Sequence, residues 1–184
     1  MSARRDRQVG RETEHYGLYV LFFIELGSRR VHLAGCTPNP CGPWVTQQAR
    51  QFTWTLAERS TRARFLIRDR DQKFTEEFDE VFRSAGAEVV RTPFRAPQAN
   101  GVAERFVRTA RSECLDWLLV LNAEHLERVL RVFLNHYHGH RPHRGLGLSP
   151  PNGRPQIETR TGTQLSVKRR DRLGGLIHEY ARAA

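Results

Sequence analysis

Residues 18–26, LYVLFFIEL, constrain the fold more than any other stretch of the chain. The run is rich in strand-forming residues and apolar at both odd and even positions, so a strand built from it has no face fit for water. Such a strand belongs inside a sheet covered on both sides, which calls for helices above and below it. Gly27-Ser28 then makes a turn, and residues 30–36, RVHLAGC, alternate as the hairpin partner. The breaker cluster TPNPCGP, residues 37–43, ends this hairpin.

The rest of the chain supplies the covering elements. Trp44, Val45, Ala49, Phe52, Leu56 and Ala57 share a stripe and predict a helix over 44–59. Residues 64–67, RFLI, are a short buried strand running directly into Arg68-Asp69-Arg70-Asp71. Residues 75–85 read as a helix with Thr75 as N-cap, Glu76 and Glu77 in the first turn, and Phe78, Val81 and Phe82 as the apolar stripe. Gly86 ends it. Residues 88–91, EVVR, form another short strand, and 92–101 a loop. Asn100 caps a helix aligning Ala103, Phe106, Val107, Ala110 and Cys114, and a last helix over 122–137 turns Leu126, Val129, Leu130, Phe133 and Leu134 inward. This order predicts an α/β sandwich with an opening antiparallel hairpin and later parallel crossovers. Residues 152–184 show no core pattern beyond a weak segment at 173–177.

Charge narrows the partner. The 184 residues carry 30 Lys+Arg against 20 Asp+Glu, a net charge of +10, and only Lys73 and Lys168 among the basic residues are not arginine. Arginine grips phosphate bidentately, so the excess fits nucleic acid, although GC-rich coding drift would also favour arginine. A hydrophobic content of 39% excludes a disordered polycation. No apolar run reaches the roughly 18–20 residues of a membrane span, so no membrane partner is expected. The basic opening residues lack an apolar core, which argues against a secretory signal. Cys36, Cys41 and Cys114 have no zinc-finger spacing and fit free thiols in a reducing compartment.

Two carboxylates stand where chemistry is done. Asp69 ends a buried strand, where ligands gather in parallel sheets. Glu104 lies in the first turn of a helix, one helix and one strand later, and that return leads back to the same sheet edge. Together they offer oxygen ligands for a divalent metal, and a two-metal site for phosphodiester transfer needs a third carboxylate. Taken singly, Asp69 reads more readily as a strand-end turn residue, and Glu104 as a helix N-terminal charge complementing the dipole. Arg105, Arg108 and Arg111 share the helix of Glu104, the last two on its side; they read as phosphate contacts or as a solvated face. His136, His138, His140 and His143, interleaved with Arg141 and Arg144, read as a basic loop rather than a zinc site. Trp44, Trp54 and Trp117 read as core or interface residues. Lys168-Arg169-Arg170 read as phosphate contacts or a solvated end.

Residues 65–74, FLIRDRDQKF, resemble the second-aspartate motif of DDE transposases and retroviral-type integrases. Residues 97–106, PQANGVAERF, resemble their glutamate motif. Residues 19–26 with 28–35 are similar to the second and third strands of insertion-sequence transposases. Tyr137, Arg141-Pro142-His143, Leu146 and Ser149-Pro150 resemble the way such domains end. The resemblance spans residues 17–151 and implies an RNase-H-like mixed sheet flanked by helices, followed by a basic tail over 152–184. It implies DNA integration or transposition by metal-dependent strand cleavage and strand transfer, without a covalent enzyme intermediate. The implied cofactor is Mg2+ in a two-metal site, with Mn2+ as substitute. The resemblance places catalytic, metal-binding carboxylates at Asp69 and Glu104, with Asp71 a weaker match. DNA contacts are expected at Arg105, Arg108, Arg111, Arg141 and Arg144. The implied partners are DNA and a second copy or a full-length transposase, in a prokaryotic cytoplasm and at the nucleoid when DNA is bound.

The chain departs from the family at its start. The first aspartate is expected on an apolar strand before Tyr19, but residues 4–17 read RRDRQVGRETEHYG. Residues 1–16 therefore read as a non-homologous or degraded leader, with the first central strand missing or degraded. Asp6 is the only aspartate there, at a plausible distance but flanked by arginines; Glu12 and Glu14 are the other substitutes, and Glu25 matches a non-catalytic position. The expected consequences are an unpaired edge along residues 18–26 and impaired catalysis. No helix-turn-helix is recognised before the core. The alternative reading is a truncated or frameshifted remnant that only binds DNA or a full-length transposase.

Overall fold

The computed structural model describes residues 2–7 by their backbone, and residues 17–93, 100–153 and 167–182. The chain forms two compact units, Met1–Glu127 and Arg128–Ala184.

The first unit is built on strands β1 (Ser2–Arg7), β2 (Tyr19–Ile24), β3 (Val31–Thr37), β4 (Phe65–Arg68) and β5 (Glu88–Arg91). Their order in the sheet is β3-β2-β1-β4-β5. Helices α1 (Gly42–Glu58), α2 (Glu76–Ser84) and α3 (Gly101–Glu113) accompany it. The apolar run in β2 is covered on both faces, as its sequence requires. On one face Leu21 and Phe23 join Val45, Ala49 and Phe52 of α1 and Phe78 of α2 in a buried cluster. Phe23 stacks on Phe52 with ring centroids 4.0 Å apart. On the other face Phe22 meets Phe106 of α3 edge-on at 5.0 Å. Each such ring, fully buried, contributes about 1.5–3 kcal/mol.

The expectation of a missing central strand is corrected. β1 lies antiparallel to β2, from Ser2 opposite Ile24 to Arg7 opposite Tyr19, and parallel to β4 at Ser2 opposite Ile67. β2 therefore has a partner on each side, and its edge along β1 is not left open. The physical reason is that a ladder is made by backbone N–H and C=O groups, which every residue of the polar segment SARRDR carries. β4 and β5 pair in parallel from Phe65 opposite Glu88 to Arg68 opposite Arg91, with α2 as their crossover. Thr75 occupies the N-cap of α2 in extended conformation, without a cap hydrogen bond from its side chain. Gly86 follows α2 at φ +82°, a left-handed position that a residue with a Cβ rarely takes.

The tryptophans divide. Trp44 is half-buried and packs against the core cluster. Trp54 and Trp117 are 72% and 70% exposed, so neither is a core residue. The Trp117 ring N–H donates to the Ser112 carbonyl at 2.8 Å, which holds the ring at the end of α3.

The second unit contains most of α4 (Ala123–Gly139) and a hairpin of β6 (Val167–Arg172) and β7 (Ile177–Arg182). The predicted inward residues of α4, from Leu126 to Leu134, are buried. The hairpin lies in the segment whose sequence shows no core pattern, yet Ile177 and Glu179 are each only 6% exposed. The weak segment at 173–177 is mainly the hairpin turn. α4 runs on to Gly139, so His138 as well as His136 lies on a helix rather than in a loop. His136 and His140 stack with centroids 5.9 Å apart. They stand 3.6 and 3.9 Å from the Glu179 carboxylate, which also accepts a 3.0 Å hydrogen bond from Arg172 Nε. Burial raises the Glu179 carboxyl, but Arg172 and the two imidazoles outweigh it and hold it below its ordinary value.

The thiols differ in exposure. Cys41 is exposed, whereas Cys114 is buried and burial pushes its thiol up to about 12. Iodoacetamide at mildly alkaline pH should therefore alkylate Cys41 and leave Cys114 untouched until the chain is unfolded. Peptide mass spectrometry reads this directly, and labelling of Cys114 in the folded protein at the rate of Cys41 would contradict it.

Candidate active site

Asp69 directly follows β4. Its strand is fixed by Leu66, fully buried, and by the backbone ladder to β5. The chain then turns sharply. Asp69 Oδ1 accepts the Asp71 N–H at 3.0 Å, and Asp71 Oδ1 accepts the Lys73 N–H at 2.9 Å. The Phe74 N–H closes the turn on the Asp71 carbonyl at 3.0 Å. This is an Asx-type turn, in which a short carboxylate side chain stands in for a backbone carbonyl. Asp71 is thereby engaged in local structure. Asp69 is half-buried, and its Oδ2 has no hydrogen-bond partner among the described residues. Arg70 Nε donates to the Thr92 carbonyl at 3.0 Å, tying the turn to the residue after β5.

Beneath this turn lies a pair that sequence reasoning missed. Arg68 is 2% exposed and Asp79, on α2, is fully buried. Arg68 Nε and Nη2 donate to the two Asp79 oxygens, each at 2.6 Å. Arg91 Nη2 adds a third donor to Asp79 at 3.0 Å. Burial raises the Asp79 carboxyl, but these guanidinium hydrogen bonds outweigh it and hold it below its ordinary value. A signal for the pair exists in the sequence: an arginine inside a buried strand demands a carboxylate partner.

Glu104 lies half-buried in the first turn of α3, beside the buried Ala103. α3 packs against β1 and, through Phe106, against β2. Arg108 is exposed and Arg111 half-buried; with Glu104, Val107, Ser112 and Asp116 they line a shallow depression. Arg111 Nε stands 3.6 Å from Asp116 Oδ1. Arg105 is exposed on the same helix. Arg141 and Arg144 belong to the second unit. There the Arg141 guanidinium stands 5.8 Å from the Tyr137 ring centroid, and Arg144 is exposed. Glu25 bonds Ser28 and His32, at 2.5 and 2.8 Å, and so serves the β2–β3 turn.

The structure thus brings Glu104, Arg108 and Arg111 to one depression. Asp69 and Glu104 are linked through β1, which neighbours β4 on one side and carries α3. Among the described residues, no group of three or more metal-ligating side chains comes together. Glu12, Glu14 and residues 97–99 lie outside the described residues, as does the side chain of Asp6. The backbone of Asp6 pairs with Val20 on β2. Because β1 and β4 run parallel from Ser2 and Ile67, Asp6 and Asp69 both lie toward the same end of the sheet. No helix among the described residues is long and apolar enough to cross a membrane.

Residues 85–151 match the family model described as an integrase core domain. No curated protein matches the sequence. The fold is similar to the catalytic core domain of BIV integrase, with a TM-score of 0.56 at 17% identity, over 82% of this chain and 90% of that one. It is similar to the HTLV-2 integrase catalytic core domain in complex with magnesium, in its dimeric form, with a TM-score of 0.54 at 13% identity, over 78% of this chain and 90% of that one. A chain of the simian T-cell lymphotropic virus intasome, solved with PP2A regulatory subunit B56 gamma, aligns with 100% of this chain and 66% of its own length. Its TM-score is 0.58 at 14% identity. The chain carries an integrase-like core with the RNase-H-like fold.

Proposed function

We propose that this integrase-like core acts in DNA integration or transposition, cutting DNA and joining strands in a metal-dependent reaction. The observation that carries the reading is the position of Asp69 at the end of β4, one strand away from the helix that bears Glu104 and its arginines. In this reading Asp69 and Glu104 are the catalytic metal ligands, and their hard oxygen donors suit Mg2+, or Mn2+ in its place. Asp6 is the third carboxylate, supported by its register position toward the same sheet end as Asp69. When bound, the metal pair supplies charge neutralisation for the attacking and leaving oxygens.

The chain's own residues hold the reactants. Arg105, Arg108 and Arg111 bind phosphates on the helix of Glu104, and Arg141 and Arg144 bind phosphates on the second unit. The Asx turn keeps Asp69 in one orientation. A water or a DNA 3′-hydroxyl attacks the phosphodiester, and the 3′-oxygen leaves with no bond to the protein. Residues 17–151 form the catalytic core and 152–184 a basic tail. The HTLV-2 core is described in dimeric and trimeric forms. We propose a homo-oligomer here, or pairing with a full-length transposase, in the cytoplasm and on the nucleoid when DNA is bound.

The test is nicking of supercoiled plasmid in manganese by the full chain, beside Asp69→Asn. Nicking that vanishes in the variant supports the reading. No nicking by folded protein overturns catalysis and leaves a remnant that only binds DNA.

The arginines make a separate prediction. Log affinity for duplex DNA should fall linearly with log salt, and Arg108→Ala and Arg111→Ala should each reduce the slope by about 0.9. Fluorescence anisotropy across a salt series measures this. A slope unchanged in both variants would remove these residues from the DNA interface.

A further inference from the structure

Arg68 touches Asp69 as well as Asp79. While Nε and Nη2 hold the two Asp79 oxygens, Nη1 donates to the Asp69 carbonyl oxygen at 2.9 Å. We infer that Arg68 is a positioning residue for Asp69, and that Asp79 fixes it in that role. The inference rests on the reading of Asp69 as a metal ligand.

The geometry supports it at each step. Asp79 is rigid because it is fully buried on α2 and receives a further bond from Arg91 of β5. Its carboxylate fixes the guanidinium plane through two parallel bonds, the fork-to-fork arrangement that leaves least freedom. In a fixed plane the two Nη1 N–H bonds point in set directions, and the Asp69 carbonyl accepts one of them. The same residue is held from the other side by the Asp71 N–H on Oδ1. Asp69 is thus clamped at its backbone by α2 and at its side chain by its own turn. The clamp leaves Oδ2 without a partner among the described residues. Lysine could neutralise Asp79 but could not make three bonds in one plane.

A merely structural role is separable from this one. A buried ion pair replaced on both sides by apolar residues commonly leaves stability unchanged or improved. The double variant Arg68→Met/Asp79→Leu should therefore fold while losing the clamp. Three readouts on the full chain decide the matter: thermal unfolding, amide hydrogen exchange of residues 69–74, and Mn2+ affinity by electron paramagnetic resonance beside Asp69→Asn.

The expected result is a melting temperature at or near that of the wild type. Exchange over 69–74 should be roughly tenfold faster, and Mn2+ binding about 10–100-fold weaker, as when partners that orient metal ligands are lost. Arg68→Lys keeps the charge and should show the same weakening, and it carries the test if the double variant does not fold. Unchanged exchange over 69–74 in a folded variant overturns the inference. If wild type and Asp69→Asn bind Mn2+ alike, the metal reading of Asp69 fails on its own, and the exchange result still decides whether Arg68 holds Asp69.

Discussion

The proposed role of Asp69 predicts that Asp69→Asn lowers manganese-dependent plasmid nicking by roughly a thousandfold or more, with DNA affinity held within about twofold. The size follows from what is removed. A bound metal supplies several kcal/mol of charge stabilisation in the transition state, and each ~1.4 kcal/mol is a factor of ten in rate. The amide keeps the shape of the carboxylate and an oxygen able to accept the Asp71 N–H, so the turn after β4 persists. What it lacks is the negative charge that would hold a cation in the proposed site. Glu104→Gln should give a loss of the same order, since the proposed site draws its second carboxylate from Glu104. Its cost to folding is small, a few tenths of a kcal/mol from the lost charge in the first turn of α3. Nicked-circle formation on gels and anisotropy with the same DNA separate chemistry from binding. Nicking by either variant at the wild-type rate would take that carboxylate out of the site.

The largest stability effect is expected at Asp79, whose side chain is fully buried. Asp79→Ala leaves the 2% exposed Arg68 guanidinium buried without its carboxylate. Breaking one side of a buried pair costs about 3–5 kcal/mol. For a domain of this size that is a fall in melting temperature of roughly 10 °C or more. The pair also imposes a pH dependence whose sign is fixed. Asp79 is held below its ordinary value in the folded chain, so it binds a proton more readily when unfolded. Its stabilisation is complete above the unfolded value, about 3.9, and is lost as pH falls through the lower folded value. Urea unfolding of wild type and Asp79→Ala should differ at neutral pH and converge in acid. Equal midpoints at neutral pH would show that the pair contributes nothing net.

Most of the sheet was legible because hydrophobic period and backbone structure agree there. The apolar run of β2, the stripe of α1 and the Phe78, Phe82 spacing of α2 each dictate a buried face. β1 was not legible, because its residues are polar and its strand state comes from its two neighbours rather than from its own side chains. The β6–β7 hairpin was hidden for the same reason: β6 reads VKRRDR, five of its residues exposed. Asp69 and Glu104 were found as motif carboxylates at element ends. Arg68 and Asp79 were not, because charged residues are read as surface unless a partner is in view, and theirs lies eleven residues away. The stacking of His136 on His140 was missed because α4 extends past the end that periodicity gave it.

The sheet order has a temporal consequence. β1 is synthesised before both of its neighbours in the sheet: β2 follows it closely, and β4 does not. At about 5–20 residues per second, the stretch from the end of β2 to the end of β4 takes roughly 2–9 s to synthesise. Throughout that interval the strand at the middle of the sheet has only one neighbour. A polar composition such as SARRDR keeps a waiting edge of this kind soluble, where a second run like that of β2 would offer it to the nearest other nascent chain.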